Sequence, residues 1–243
     1  ALAAEASAPI SAATTNPRRL RKIPSIMPCV EPQRDGNFKA RSAVKRVIDM
    51  YLDSERYGER WARHWLDVAR YAESSGKEVN VLYPSAWRYR DYVIESFKKD
   101  KPYDQFLKEQ IAGDLLPYES KHDQADKIVA TGFLAIGSKG HNNRDKRQFA
   151  MDMVDEQIDA MSQSMLGLTL ACARCHDHKF DPVTQRDYYA LAGIFLSSDT
   201  LFGTYRGIQN NNTSTLIELD RDAAQPADML HAGAWPFALA LRH

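Results

Sequence analysis

The sequence predicts a mainly α-helical protein, and three observations lead to that fold class. Apolar residues recur at three- and four-residue spacing over much of residues 41–198, as in amphipathic helices. Only one short run, 215–219, has the composition of a strand. The 243 residues are 44% hydrophobic and can bury a sizeable core. We therefore expect an irregular multi-helix domain in which a long helix leads into a cysteine-containing turn.

The composition divides the chain into three segments. Residues 1–39 are rich in Ala, Ser, Thr, Pro and basic residues without a sustained period, which predicts a flexible N-terminal arm. Residues 40–199 carry the helical pattern and should form the domain. Residues 200–243 contain an asparagine triplet with scattered glycine and proline, which favours a loose C-terminal tail or a truncated segment.

The helices follow in chain order from their apolar stripes and boundary signals. Five are expected before the loop at 137–140, with approximate ranges 41–52, 58–74, 84–97, 103–113 and 124–136. In the second of these, Trp61, His64 and Trp65 share a stripe that we expect to face inward.

The longest helix is predicted over about 147–171, because apolar residues from Ala150 to Cys172 step by three or four positions. The other side of this helix carries four carboxylates, at Asp152, Asp155, Glu156 and Asp159. Such a pattern indicates either a solvated face or a buried acidic cluster. After the cysteine-containing turn, residues 184–187 resemble a capping box that opens the last helix.

The pentapeptide at 172–176, Cys-Ala-Arg-Cys-His, is the most informative motif, because C-x-x-C-H is the attachment signature of c-type haem. Cys172 and Cys175 can add across the two vinyl groups of one porphyrin, and His176 can then ligate the iron. The alternatives are a disulfide or free thiols that brace a turn, and part of a zinc site. Zinc is the weakest alternative, because the only other cysteine is Cys29.

An iron bound by His176 would keep its sixth coordination position open. His64 is the candidate distal ligand because it is expected to face inward, and Met229 and His141 are further candidates. His178 lies two residues from the proximal ligand and cannot reach the opposite face of the macrocycle.

The stretch 176–181 also suits a metal-assisted hydrolase or a ligand-binding domain, with His176, His178 and Asp181 as donors. Asp67 and Asp114 could complete such a site. A simpler interpretation is a polar turn that precedes the last helix. The hydrolase alternative requires a divalent metal, whereas a non-catalytic scaffold domain requires no cofactor.

Several other classes of function are disfavoured. Lysine plus arginine and aspartate plus glutamate balance at 32 each, which argues against nucleic-acid binding. No apolar run reaches the length of a membrane span. We find no serine-hydrolase elbow, P-loop or dinucleotide fingerprint. Covalent haem would imply a periplasmic or secreted location, because that linkage matures outside the cytoplasm, and residues 1–8 have the small residues of a signal-peptide cleavage region.

Five stretches together resemble a known family. They are YGERWARHWLDVARYA at 57–72, WRYRDYVI at 87–94, QIAGDLLP at 110–117, LGLTLACARCHDHKFDP at 166–182 and DYYAL at 187–191. The chain is similar here to the planctomycete cytochrome-associated domains of unknown function. The resemblance implies an exported helical domain of a longer polypeptide, often with a separate cytochrome c domain. We therefore expect a c-type cytochrome-like domain with one covalent haem, which transfers electrons to a redox partner domain or protein.

Overall fold

The computed structural model describes residues 38–204, 210–220 and 237–243, and its order of elements confirms the mainly helical prediction. The α-helices are α1 Phe38–Leu52, α2 Glu55–Val68, α3 Ala86–Lys98, α4 Tyr103–Ala112, α5 Lys121–Ala130, α6 Gly132–Ala135, α7 Lys146–Met161 and α8 Gln185–Leu196. The strands are β1 Asp199–Leu201, β2 Ile217–Glu218, β3 Phe237–Ala238 and β4 Ala240–Arg242. Among the described helices, none combines the length and the apolar character needed to cross a membrane.

The chain divides into two compact units, residues 1–54 and residues 55–243. In the first unit, α1 forms where the apolar spacing predicts a helix. Most of the predicted arm, residues 1–37, lies outside the described residues. The second unit contains the remaining helices and the four strands.

Helices α2 and α3 pack closely because α2 directs small residues toward the core. Gly58 and Ala62 are buried together with Trp65. A Cβ atom at Gly58 would lie 2.9 Å from the Ile94 carbonyl oxygen of α3, so only glycine permits this approach. Trp65 then reaches the core, where its indole Nε1 donates a hydrogen bond to the Tyr89 hydroxyl at 2.9 Å.

The same packing shows that the inward orientation predicted for Trp61 and His64 is wrong. Trp61 is 42% exposed, and His64 is exposed beside it with the ring centroids 5.4 Å apart. The sequence pattern placed both tryptophans of α2 on one buried stripe. The helix instead buries its small residues, because they allow the closest contact between backbones.

Helices α4 and α5 also approach closely, at Gly113. This glycine begins a 3₁₀ turn, Gly113–Leu115, directly after α4. A Cβ atom there would lie 2.0 Å from the Lys127 carbonyl oxygen of α5.

Replacing Gly113 with alanine should therefore lower the free energy of unfolding by about 1–3 kcal/mol, because the backbone of one helix must move. Gly193→Ala is the matched control. This glycine lies in α8, and its Cβ would meet no atom within 4 Å. We expect the control to be stabilised by about 0.5–1 kcal/mol through helix propensity. Denaturant unfolding of both variants measures the difference, and effects of the same sign would contradict this account.

The helix before the cysteine motif is shorter than predicted. Helix α7 begins at its N-cap Asp145, close to the expected start, but ends at Met161 and is followed by a π-helical turn, Ser162–Leu166. The Ser164 hydroxyl donates to the Ala160 carbonyl at 2.6 Å, and Gly167 adopts a left-handed conformation with φ of 66°. Serine side chains that bond helix carbonyls and a left-handed glycine both favour termination. The prediction of one helix to residue 171 is therefore wrong.

The prediction of a loose tail is wrong for residues 237–243. Strand β4 pairs antiparallel with β1, and β3 pairs antiparallel with β2. Leu239 and Leu241 are buried, and the Thr131 hydroxyl bonds both the Leu241 carbonyl at 3.1 Å and its amide at 3.0 Å. These contacts join the end of the chain to the helical core. Residues 205–209 and 221–236, with the candidate ligand Met229, lie outside the described residues.

Candidate functional site

The motif at 172–176 lies on an exposed turn between α7 and α8. Residues Leu170–Arg174 form a 3₁₀ turn, in which residues three positions apart share one side. Leu170 and Ala173 are buried on the inner side, whereas Cys172 and Cys175 are exposed free thiols. Both thiols are therefore accessible, and they are not joined in a disulfide.

Arg174 anchors this turn to the two helices that flank it. Its guanidinium lies 3.4 Å from an Asp152 carboxylate oxygen and 3.2 Å from one of Asp155, both on α7. Its backbone carbonyl accepts hydrogen bonds from the Gln185 side chain and the Tyr189 hydroxyl of α8, each at 3.1 Å. Two of the α7 carboxylates thus bind the motif, so this face of α7 is not simply a solvated one.

His176 has the hydrogen-bonding pattern of a histidine that is ready to bind a metal. Its ring is exposed, and Nδ1 lies 2.8 Å from the Asp177 carbonyl oxygen, so Nδ1 carries the proton. Nε2 is the ring nitrogen that remains available as a ligand, since the described residues provide it with no hydrogen-bond partner. Ligating histidines typically have this arrangement, with the other ring nitrogen donating to a carbonyl.

His178 is arranged in the opposite way. Its Nδ1 accepts hydrogen bonds from the backbone amides of Phe180 at 3.2 Å and Asp181 at 2.8 Å. The proton consequently lies on Nε2, which is 3.2 Å from the Thr169 hydroxyl. Both ring nitrogens are occupied in closing the 169–181 loop.

The proposed donors of a divalent metal therefore do not converge. The Asp181 carboxylate lies 3.6 Å from Nδ1 of His178. This nitrogen already accepts hydrogen bonds from two backbone amides, so it is not available to a metal. Among the residues that the structure describes, no group of three or more His, Cys, Asp or Glu side chains could hold a metal ion.

The other predicted site residues have partners of their own. Asp67 pairs with Arg63 at 3.3 Å on the exposed side of α2. Asp114 accepts from the His243 backbone amide at 2.9 Å and pairs with its ring at 3.0 Å. His141 is fully buried, with Nδ1 2.9 Å from the Asn212 carbonyl oxygen, and burial lowers its pKa.

The surroundings of the motif form an open surface. Leu166, Phe180 and Tyr189 are 57%, 82% and 49% exposed. Two cavities of about 430 and 340 Å³ lie elsewhere, the first beside α5 and the second beside the start of α7. Two accessible thiols and one exposed imidazole fit the attachment of a porphyrin at this surface. The exposed side chains described around them form an open surface and not an enclosed slot.

A second polar cluster, which sequence reasoning missed, consists of Arg70, Ser138, Lys139 and Glu156. Arg70 follows α2 in a left-handed conformation with φ of 55°, and its guanidinium pairs with Glu156 of α7 at 2.7 Å. The Ser138 hydroxyl donates to the other Glu156 oxygen at 2.8 Å. The left-handed conformation of Arg70 costs a non-glycine residue on the order of 1 kcal/mol, and its ion pair with Glu156 helps to offset this cost.

Lys139 is the buried cation of this cluster. It is 4% exposed, and its ammonium donates to the Ala135 carbonyl at 2.6 Å between the rings of Tyr83 and Phe202. Burial lowers the pKa of Lys139 to about 7. Glu156 opposes this pKa shift, and Arg70 and Lys77 reinforce it. A lysine between two glycines of a loop gives no sequence signal of burial, so only the fold reveals it.

Comparison with known proteins gives one match. The model of a family described as PSCyt2, protein of unknown function (DUF1549), matches residues 13–200. No curated protein and no solved structure matches the chain.

Proposed function

Because the chain belongs to the DUF1549 family, whose description names no activity, we propose a function from the chain's own site. The domain carries one covalent c-type haem on Cys172 and Cys175, with His176 as the proximal ligand. It exchanges single electrons outside the cytoplasm with a redox partner domain or protein. One observation carries this proposal: two free thiols are accessible beside an imidazole whose Nδ1 is held by a carbonyl oxygen and whose Nε2 has no partner among the described residues.

The attachment requires only the two thiols and two vinyl groups. Each cysteine sulfur forms a bond to one vinyl carbon, the carbon–carbon double bond becomes single, and the thiol proton moves to the other vinyl carbon. The addition consumes no oxidant or reductant. The bound haem would supply one-electron redox chemistry at its iron.

The residues around His176 would set its orientation. The hydrogen bond from Nδ1 to the Asp177 carbonyl holds the ring in one orientation. Asp177 is itself held, because its carboxylate accepts the Gln185 backbone amide of α8 at 2.8 Å. The exposure of the motif supports exchange with a partner, since a second protein can approach it directly.

Covalent attachment is tested by expressing the chain with a c-type haem maturation system and staining a denaturing gel for haem. We expect the wild-type band to stain and the double variant Cys172→Ser/Cys175→Ser to lose the stain completely. Cys29→Ser, which changes the cysteine outside the motif, is the matched control and should stain like wild type. A colourless wild-type band would overturn the proposal and favour a scaffold domain without a cofactor.

A further inference from the structure

The position of the two thiols depends on Arg174, one of the two residues between them. Cys172 and Cys175 are exposed, so they have few contacts that could fix their direction. Ala173 is buried but offers only a methyl group. Arg174 is the one residue between the cysteines whose side chain and backbone carbonyl both make directional contacts with the flanking helices.

The side chain of Arg174 belongs to a network that spans α7 and α8. Asp152 and Asp155 lie three residues apart and so on the same side of α7. Tyr188 of α8 is buried and donates its hydroxyl to Asp155 at 2.5 Å. The guanidinium contacts both carboxylates, and its planar, pre-organised fork of N–H donors fixes the directions of these contacts more narrowly than the rotating donors of an ammonium.

This network lies beneath the turn and is only partly open to solvent. The side chains of Arg174 and Asp155 are 25% and 28% exposed. The ion pair is thus less screened than one on an open surface, and it can hold the turn in one conformation.

We infer that Arg174 is a positioning residue for haem attachment. Through Asp155 and Tyr188 it holds Cys172 and Cys175 on one side of the turn, so that both thiols meet the two vinyl groups of the same porphyrin. This inference rests on the proposed haem function. Without the network, the first sulfur–carbon bond can still form, but the second thiol is no longer held toward its vinyl group.

The number of sulfur–carbon bonds per chain is the decisive measurement. Arg174→Lys keeps the positive charge but removes the planar guanidinium that contacts Asp152 and Asp155. Tyr188→Phe removes only the hydroxyl that donates to Asp155. The absorption of the haem in alkaline pyridine distinguishes one remaining vinyl group from none. We expect a several-fold rise in singly attached haem for Arg174→Lys and a smaller rise for Tyr188→Phe. Arg186→Lys, an exposed arginine at the start of α8, is the matched control and should remain doubly attached.

Circular dichroism of the same samples separates positioning from folding. Variants with wild-type helical content and more singly attached haem support the inference. Doubly attached haem in folded Arg174→Lys and Tyr188→Phe would overturn it, as would a loss of attachment that only follows a loss of helix. Failure of the haem proposal is distinguishable, because the wild-type chain itself would then carry no haem.

Discussion

Replacing Lys101 with methionine is expected to lower the free energy of unfolding by about 3–5 kcal/mol. Its ammonium pairs with the Glu109 carboxylate, whose side chain is completely buried. Glu109 also accepts from the Tyr92 hydroxyl at 2.7 Å and from the Gln105 amide at 2.9 Å. Two neutral donors cannot replace a cation beside a buried carboxylate, so the variant must hold an uncompensated charge. Chemical denaturation at neutral pH measures the loss.

Two further variants test this explanation. Lys108→Met is the matched control, because Lys108 forms a comparable pair with Asp104 at 3.1 Å on an exposed helix face. We expect it to cost less than about 1 kcal/mol. The double variant Lys101→Met/Glu109→Gln removes both charges and should recover most of the stability. If the double variant is as unstable as Lys101→Met, the loss comes from packing and not from the unpaired carboxylate.

Replacing Lys139 with methionine should instead raise the free energy of unfolding at neutral pH, because none of the described residues places a carboxylate against the ammonium of this buried lysine. The pKa of Lys139 is about 7 in the folded protein and 10.5 when exposed. Between these values the unfolded state binds more protons than the folded state, so folding stability rises with pH. Each pH unit contributes up to about 1.4 kcal/mol. Below pH 7 the loss of stability caused by burying Lys139 is constant, and above pH 10.5 this loss is absent.

We therefore expect wild-type stability to increase from pH 7 to pH 9 and this increase to be missing in Lys139→Met. The variant should also be more stable at pH 7. Removing the buried charge should add several kcal/mol to the free energy of unfolding, and losing the hydrogen bond to Ala135 should subtract about 1 kcal/mol. Unfolding curves at half-unit pH steps provide the measurement. Lys179→Met, an exposed lysine beside Phe180, is the control and should keep the wild-type profile. Parallel profiles for wild type and Lys139→Met would contradict a low folded-state pKa.

The range from pH 7 to pH 9 lies below the pH at which three buried tyrosines affect stability. Burial raises the pKa of Tyr83, Tyr89 and Tyr92 above the ordinary tyrosine value of 10. A raised folded-state pKa makes stability fall as pH rises past 10, which is opposite to the effect of Lys139. Comparing the variant with wild type below pH 9 therefore isolates the lysine.

Much of the fold could be predicted from the sequence, because helices depend on local spacing. The start of α7 lies within two residues of its expected position, and the capping box of Thr184 and Asp187 opens α8 as predicted. Such signals act over one helical turn and need no tertiary contact. The chemistry of 172–176 could likewise be read from residue type and spacing, and haem binding there stays a prediction.

The orientation of the helices could not be predicted in the same way. His64 and Trp61 have an apolar neighbourhood in the sequence but lie on the outer face of α2, since Gly58 allows the backbone of α3 to approach the other face. His178 has the residue type of a metal ligand, yet amides of its own loop occupy Nδ1. In both cases the partner that decides the outcome is specified by folding and not by spacing.

The sequence by itself determined that this chain is helical, where its main helices begin, and that two thiols and an imidazole lie within five residues of one another. Only the tertiary structure decided which face of each helix is buried, that the end of the chain pairs with β1, and that Lys139 and Glu109 are buried charges. The reason is physical: hydrogen bonds within a helix join residues four positions apart, whereas burial depends on residues that are distant in the chain.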